Sequence, residues 1–364
     1  MDKFANYSGR ANSWRSGLGL LCLSALLSLV TAEIASRTFW RLVYGVPFRD
    51  PGRILYAYYP ELNRVDTGRP SHDDEYFDVL LLGGSTLHHE AGAVQRALWE
   101  QLVYNCQCNV RILNLAMPGH TSRDSLIKYA ALGAARFDLV IAYDGLNEAR
   151  ANNVPPELFR GDYGHYSWYE IANALAPYHG TASFALPYTL RYLAIRARQS
   201  LMSDRYVPTD RPRRDWVRYG KAYRSAIPFK QNLGDLLNRA SQRGDPVLLM
   251  TFALYVPKNY SLDAFRAKRL DYVLHVSAIE IWGEPENVQG AVASHNEVVR
   301  NMIQERRDVL FVDQATLMNG PSRYFNDPCH FTVSGSSQFV DNIMRTVLPI
   351  LKKFEIRQRE IRSS

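Results

Sequence analysis

Asp78 to Thr86 reads D-V-L-L-L-G-G-S-T, and no other stretch of the chain constrains the fold as tightly. Val79 to Leu82 form a short apolar run without polar alternation, as expected of a strand buried on both faces. Gly83-Gly84 stops the run and lets the backbone turn sharply, leaving Ser85 at the strand's carboxyl end. In open α/β sheets ligands bind at this edge. A serine there is a candidate nucleophile, and its partners must be sought after other strands.

The rest of the chain supplies those strands. Helical spacing predicts a helix over Gly92–Tyr104, and Val110–Leu113 reads as a second strand. A helix over about Ser122–Ala135 follows, capped by Thr121 or Ser122, then a strand at Leu139–Tyr143. A helix near Gln231–Gln242, ended by Gly244, precedes a strand at Val247–Phe252. A helix near Ala293–Arg306 precedes a fifth strand at Val309–Val312, and a helix over about Ser334–Leu351 closes the series. Alternation of this kind implies a parallel sheet with helices on both faces. The 364 residues suffice for one large α/β domain with insertions, or for two small domains.

Two insertions, 149–227 and 258–289, leave from carboxyl ends of strands and can overhang Ser85. The first contains an aromatic cluster, Tyr163, Tyr166, Trp168 and Tyr169, suited to stacking on sugar rings or to packing the insertion onto the sheet. Residues 191–224 hold ten basic residues against three acidic ones, an excess equal to the net charge of the whole chain, +7. A solvated face explains it; anionic lipid or acidic glycan is the alternative.

Lys3, Arg10 and Arg15 precede an apolar stretch from Gly17 to Ala32. A span needs about 20 residues, reached only by extending to Ala35 and including Glu33. Residues 1–35 therefore read as a signal anchor with a cytoplasmic N-terminus, or as a signal peptide cleaved after Val30-Thr31-Ala32. Either places the remainder outside the cytoplasm, periplasmic or extracellular: membrane-anchored in the first case, secreted in the second. A proline-punctuated stalk is expected over 36–76, the catalytic domain over 77–352, and a polar tail over 353–364. The four cysteines make no disulfide scaffold; Cys106 and Cys108 stand too close in sequence for an easy mutual bond.

Serine is a weak nucleophile until a base takes its proton. Of nine histidines, His330 stands out: Asp327 lies three residues before it in N-D-P-C-H-F-T, close enough to orient the ring. Gly119, after the second strand, offers an unobstructed backbone N–H, and Asn147, after the third, a side-chain amide. Both are candidate donors to a developing oxyanion. Plainer roles exist for each: Ser85 and Asn147 as helix caps, Gly119 as a turn residue. His88 and His89 read as a solvated pair, His120 as a pocket-lining or structural residue, and Cys329 as a small buried filler.

These residues, as G83-G84-S85, Gly119, G145-L146-N147-E148 and D327-P328-C329-H330, resemble the four blocks of the SGNH (GDSL-type) hydrolase superfamily, in the family's order. The resemblance spans most of residues 77–350. It departs from the usual pattern at Gly84 and Glu148, where many members carry Asp. It implies a flavodoxin-like three-layer α/β/α sandwich on a five-stranded parallel sheet. It also implies Ser85 as nucleophile, His330 as base then acid, Asp327 as its orienter, and an oxyanion hole from the Ser85 and Gly119 backbone and the Asn147 amide.

The expected function is hydrolysis of acyl esters through an acyl-enzyme, outside the cytoplasm and without metal or cofactor. The expected substrate is an acyl ester, with acylated polysaccharide or lipid as candidates. The membrane is the partner of the N-terminal segment, and no nucleic acid is expected. O-acyl transfer to an envelope polysaccharide uses the same residues and is the enzymatic alternative. A non-catalytic polysaccharide-binding or assembly factor is the alternative of a different class.

Overall fold

A computed structural model describes residues 8–67, 70–71, 75–90, 92–106, 108–207, 213–318 and 322–363. Lys3 of the basic flank, and Asp210 and Arg211 of the basic stretch, lie outside the described residues. The chain divides into two units: residues up to Pro60 with Ala174–Leu201, and Glu61–Asn173 with Met202 onward. The basic stretch is thereby split, with Arg191, Arg196 and Arg198 in the first unit. Part of the first expected insertion joins the N-terminal segment rather than the sheet domain, and the expected stalk is shared between the units.

The second unit is built on five parallel strands: β1 Tyr76–Gly83, β2 Asn109–Asn114, β3 Leu139–Tyr143, β4 Val247–Met250 and β5 Leu310–Val312. Their order is β2-β1-β3-β4-β5, the flavodoxin-like doubly wound arrangement. The α/β fold read from the sequence is thus the fold observed. In β1 every residue from Phe77 to Gly83 is buried, which explains its lack of alternation. Register pairs Leu81 with Asn114 of β2 and with Ile141 of β3. The strand order reverses at β1, between β2 and β3, and a crevice opens there at the carboxyl edge.

Helices α2 (Val94–Cys106) and α10 (Val333–Ser363) pack together; α3 (Ser122–Ala131), α6 (Ala226–Arg243) and α8 (Pro285–Glu305) form a second packed series. Between them in sequence lie α4 (Ser167–Leu175), α5 (Leu186–Leu201), α7 (Leu262–Arg266) and α9 (Gln314–Leu317), and α1 (Ser8–Tyr44) precedes them all. Phe77, Val79 and Leu81 share one buried cluster with Val94, Leu98 and Leu102 of α2 and Phe339, Ile343 and Val347 of α10. Each such side chain contributes about 1.5–3 kcal/mol on burial. Thr121 caps α3 in a reciprocal box with Asp124.

Three expectations are corrected. Helix α8 begins at Pro285, two turns before Ala293, because proline fits the first helical position and the opening turns are polar on their outer side. The polar tail from residue 353 is helical: α10 runs on to Ser363, Phe354 packs edge-on against Phe77 at 5.3 Å, and Arg357 bonds Asp138 at 2.8 Å. Its charged composition concealed an apolar stripe continuing from Val347 through Leu351 to Phe354. Cys106 and Cys108 form a disulfide, since the chain doubles back from α2 into β2 and brings their Cα atoms to 5.1 Å.

In the first unit, α1 is one continuous helix whose Gly17–Tyr44 portion is long and apolar enough to cross a membrane, with mean hydropathy 2.1 over its most apolar window and none of that window buried. The second half of α1 is strapped to α5. Glu33 accepts bonds from the backbone N–H of Ala185 (2.8 Å) and Leu186 (2.8 Å), at the start of α5. Arg37 bridges Glu33 (2.6 Å) and the Ser183 carbonyl (2.7 Å). Trp40 donates its indole N–H to Thr189 (2.9 Å), and Tyr44 meets Tyr192 hydroxyl to hydroxyl (2.8 Å).

The Phe354 contact generates a prediction. Phe354→Ala leaves a cavity against Phe77 and lowers the unfolding free energy by about 3–5 kcal/mol in denaturant titrations. Ile356→Ala, at a side chain 57% exposed, changes it by less than about 0.5 kcal/mol.

Candidate active site

Ser85 opens a single 3-10 turn, Ser85–Leu87, directly after β1, and remains half-buried. It caps no α-helix, since α2 begins nine residues later at Val94. His330 Nε2 lies 2.8 Å from Ser85 Oγ, and His330 Nδ1 lies 2.7 Å from Asp327 Oδ2. The loop bearing Asp327 and His330 is closed by the Asn326 N–H to His330 carbonyl bond (2.7 Å) and by a bridge between Phe325 and Phe331. Asp327 is fully buried, and three backbone N–H groups fix its carboxylate: those of Cys329 (2.9 Å) and His330 (2.9 Å) on Oδ1, and that of Ser277 (3.0 Å) on Oδ2. With Nδ1 facing a carboxylate, the imidazole carries its proton there and presents Nε2 to the serine as an acceptor.

Asp327, Cys329 and His330 also present ligand-type atoms within 4.8 Å of one another. Burial, with Asp327 alongside, pushes the Cys329 thiol well above its usual value, so it is a protonated filler rather than a thiolate ligand. Both Asp327 oxygens are already engaged. The donor set suits an imidazole–carboxylate pair rather than a cation.

The loops after β2 and β3 meet over the turn before Ser85. The β2 loop follows β1 closely: the Met117 N–H bonds the Gly83 carbonyl at 3.2 Å. Gly119 sits in the left-handed region at φ +79°, in a turn closed by the His120 N–H to Met117 carbonyl bond. Asn147 opens a 3-10 helix, Asn147–Asn152, whose cap position is Leu146, so its side chain is not used for capping. Its Nδ2 donates to the His120 carbonyl (2.7 Å), and its Oδ1 accepts from the indole N–H of Trp282 (2.9 Å). Indole only donates, so the amide orientation is determined, and one Nδ2 proton remains beyond the His120 bond.

Gly84 is where these loops converge. Its backbone, φ −91° and ψ −160°, suits any residue. A Cβ there would lie 2.7 Å from Asn147 Nδ2 and 3.5 Å from the His120 carbonyl. The glycine is required by the approach of the Asn147 amide.

A buried polar layer supports both loops. Glu148, fully buried, accepts from the backbone N–H of Ser122 (2.5 Å) and of Gly145 (3.1 Å), tying the start of α3 to the loop after β3. Burial raises its carboxyl to about 7. His295 bonds the Gly145 carbonyl through Nδ1 (2.6 Å) and Ser225 through Nε2 (2.8 Å). Burial lowers it to about 4. Lys128, also fully buried, donates to the Leu115 carbonyl and to His120 Nδ1 (2.9 Å) and pairs with Glu61 at 3.4 Å. Burial, with Lys128 adding to it and Asp124 opposing it, takes His120 down to about 3. Sequence reasoning missed Trp282 and His295. Trp282 lies in the second insertion with no local signal, whereas His295 occupies the apolar stripe Val288, Ala291, Val292, Val299 of α8, a position that marks a satisfied buried polar group.

A pocket of about 390 Å³ opens at Gly119 and Asn147 and is walled by His120, Arg150, Tyr166 and Trp168. No acidic side chain lines it among the described residues. Tyr163, Tyr166 and Tyr169 are buried and pack with Val154, Val207 and Trp216, so the packing role holds for the tyrosines, while Trp168 is half-buried on the pocket wall. The Tyr166 hydroxyl has no hydrogen-bond partner. His88 is buried, contrary to the solvated pair expected, and its pKa is lowered by that burial; His89 is exposed.

Two predictions follow from this layer. Gly84→Ala, compatible with the backbone, displaces the Asn147 amide and is expected to lower kcat on an aryl ester by roughly 10²-fold, the order associated with losing one oxyanion donor, and to lower the melting temperature through the disturbed His120 and Trp282 bonds. Stability against pH follows from the buried histidines His165 and His295 and from half-buried His120, all lowered by desolvation, to about 4, 4 and 3. The unfolded chain binds protons at these sites below its own value of 6.5 while the folded chain does not, so stability is lost as pH falls from there toward 4. Glu148, raised, acts oppositely: its contribution is present below about 4.5 and is lost as pH rises through about 7. His88, lowered as well, acts with these histidines, and the raised carboxyls of Asp144 and Glu61 act with Glu148; melting temperatures are expected to fall from pH 6.5 to pH 4, less than the histidines alone would give.

The chain matches no family model and no curated protein. Several solved structures resemble it. One is a candidate acylhydrolase from Bacteroides fragilis, 13% identical, covering 82% of this chain and 95% of its own, with a TM-score of 0.42. Another is LAE5, an alpha/beta hydrolase enzyme from the metagenome of Lake Arreo, 13% identical, covering 75% and 95%, with a TM-score of 0.41. A third is Axe2, an acetylxylan esterase from Geobacillus stearothermophilus, 13% identical, covering 74% and 93%, with a TM-score of 0.40. At such identities and scores the likeness carries no inference about chemistry.

Proposed function

We propose that the chain is a membrane-anchored serine esterase of the SGNH type, acting on acyl esters outside the cytoplasm. The observation that carries this reading is the unbroken line of hydrogen bonds from Asp327 through His330 to Ser85, at 2.7 and 2.8 Å, at the switch point of a parallel sheet. Ser85 Oγ attacks the acyl carbon while His330 Nε2 takes its proton. The oxyanion forms against the backbone N–H groups of Ser85 and Gly119 and the remaining Asn147 amide proton. His330 then returns the proton to the departing alkoxide, leaving the acyl group on Ser85. Water, deprotonated by His330, attacks the acyl-enzyme, and collapse restores the serine and releases the acid. Asp327 keeps the ring in one tautomer and stabilises the imidazolium throughout. The aromatic-walled pocket beside Gly119 suits the alcohol portion of an acylated sugar or lipid. Helix α1, with Arg10 and Arg15 in its first turns and Lys3 preceding it in the sequence, supports an anchor with a cytoplasmic N-terminus.

The full-length protein in mild detergent is expected to hydrolyse short-chain aryl esters and to be labelled by a fluorophosphonate. Ser85→Ala is expected to lose the label and roughly 10⁴-fold or more of the turnover. Equal turnover by both proteins, with no labelling of Ser85, would remove the esterase reading.

A further inference from the structure

The anchor reading leaves a surface of the first unit unexplained. About 20 residues of α1, from Gly17 to Ser36, span about 30 Å, the thickness of the hydrocarbon core. The strap to α5 begins at that limit, with Glu33 and Arg37 on the first turn of α5, and continues outward through Trp40 with Thr189 and Tyr44 with Tyr192. The two helices therefore run alongside each other in the same direction. The first half of α5 stands at the depth of the headgroups, which extend the bilayer to about 40–45 Å.

The side of α5 turned away from α1 is not built for water. Phe184, Leu190 and Leu193 are 63%, 60% and 52% exposed, and Leu42 and Val43 of α1 are exposed beside the same strap. Pro187, Leu190, Ala194, Ala197 and Leu201 are all exposed, at the spacing of one helix stripe. Arg191, Arg196 and Arg198 flank this stripe and are exposed too. From Ile171 to Ser203 the sequence contains no Asp or Glu. A purely cationic rim around an apolar stripe matches the anionic headgroup layer of a bilayer. A second copy on this face would set arginines against arginines.

We infer that Phe184–Leu193 is a second membrane contact, an interfacial foot that docks into anionic lipid beside the anchor helix. The inference rests on the anchor reading. Phe184, Leu190 and Leu193 enter the headgroup–acyl boundary, Arg191 and Arg196 meet lipid phosphates, and Glu33 holds the foot at a fixed depth. A helix pair fastened in this way resists rotation about the anchor, which a single span does not.

The test uses the full-length chain carrying Cys22→Ser, reconstituted in phosphatidylcholine vesicles with and without phosphatidylglycerol. The remaining cysteines are the Cys106–Cys108 disulfide and buried Cys329, so single cysteines introduced at Leu190, Leu26 and Tyr104 accept a fluorescent label selectively. Labels at Leu26 and Leu190 are expected to be quenched by nitroxide lipids, and that at Tyr104 by aqueous iodide alone. Phosphatidylglycerol is expected to strengthen lipid quenching at Leu190, and Arg191→Gln with Arg196→Gln to reverse that gain by roughly tenfold in the ratio of lipid- to water-exposed label. Lipid quenching at Leu26 with iodide quenching at Leu190 overturns the foot and leaves the anchor standing. Iodide quenching at both sites overturns the anchor and the foot together. Self-quenching at Leu190 that is relieved by unlabelled chain assigns the face to a second copy and overturns the foot.

Discussion

A fully buried carboxylate holds the centre of this molecule in register. Glu148 takes one backbone N–H from the start of α3 and another from the loop after β3, and so fixes the spacing between the loop of Gly119 and the loop of Asn147. Neither loop belongs to the sheet, and neither has an apolar core of its own. Their geometry depends on polar bonds made away from water, where leaving a donor unpaired costs about 1–3 kcal/mol. His295 and Trp282 complete the arrangement by holding the Gly145 carbonyl and the Asn147 amide oxygen.

That layer also explains why glycine stands at position 84 and glutamate at position 148. Gly84 leaves room for the Asn147 amide, which lies so close that even a methyl group would collide with it. Glu148 has one more methylene than aspartate, and its two oxygens reach two different loops. Both residues belong to a single arrangement, in which the Asn147 amide is positioned by the His120 carbonyl and the Trp282 indole. Ser85 and His330 are supported separately, by the Asp327 loop and its backbone donors.

Much of the fold was legible because it rests on local pattern. β1 could be read from its unbroken apolar run, α3 from Thr121, and the end of α6 from Gly244. Reading failed where composition and burial part company. The last turns of α10 look solvated because charges outnumber the apolar residues, yet Phe354 fills a place under β1. Cys106 and Cys108 looked too close to bond, because the reversal of the chain between α2 and β2 is not a property of the two residues. Ser85, Asp327 and His330 were legible as candidates since strand ends in a parallel sheet converge on one edge. Trp282 was not, because a side chain reaching in from an insertion leaves no periodic trace.

The sequence by itself determined the order of the five strands and of the helices that alternate with them, the position of the serine turn and the apolar character of the N-terminal segment, since each follows from patterns a few residues long. Only the tertiary structure decided that Gly84 must lack a side chain, that Asn147 has one amide proton to spare, and that Glu33 serves as the pin of a helix pair rather than a flaw in a span. These depend on distances between residues 27 to 153 positions apart, which close packing sets and local pattern does not.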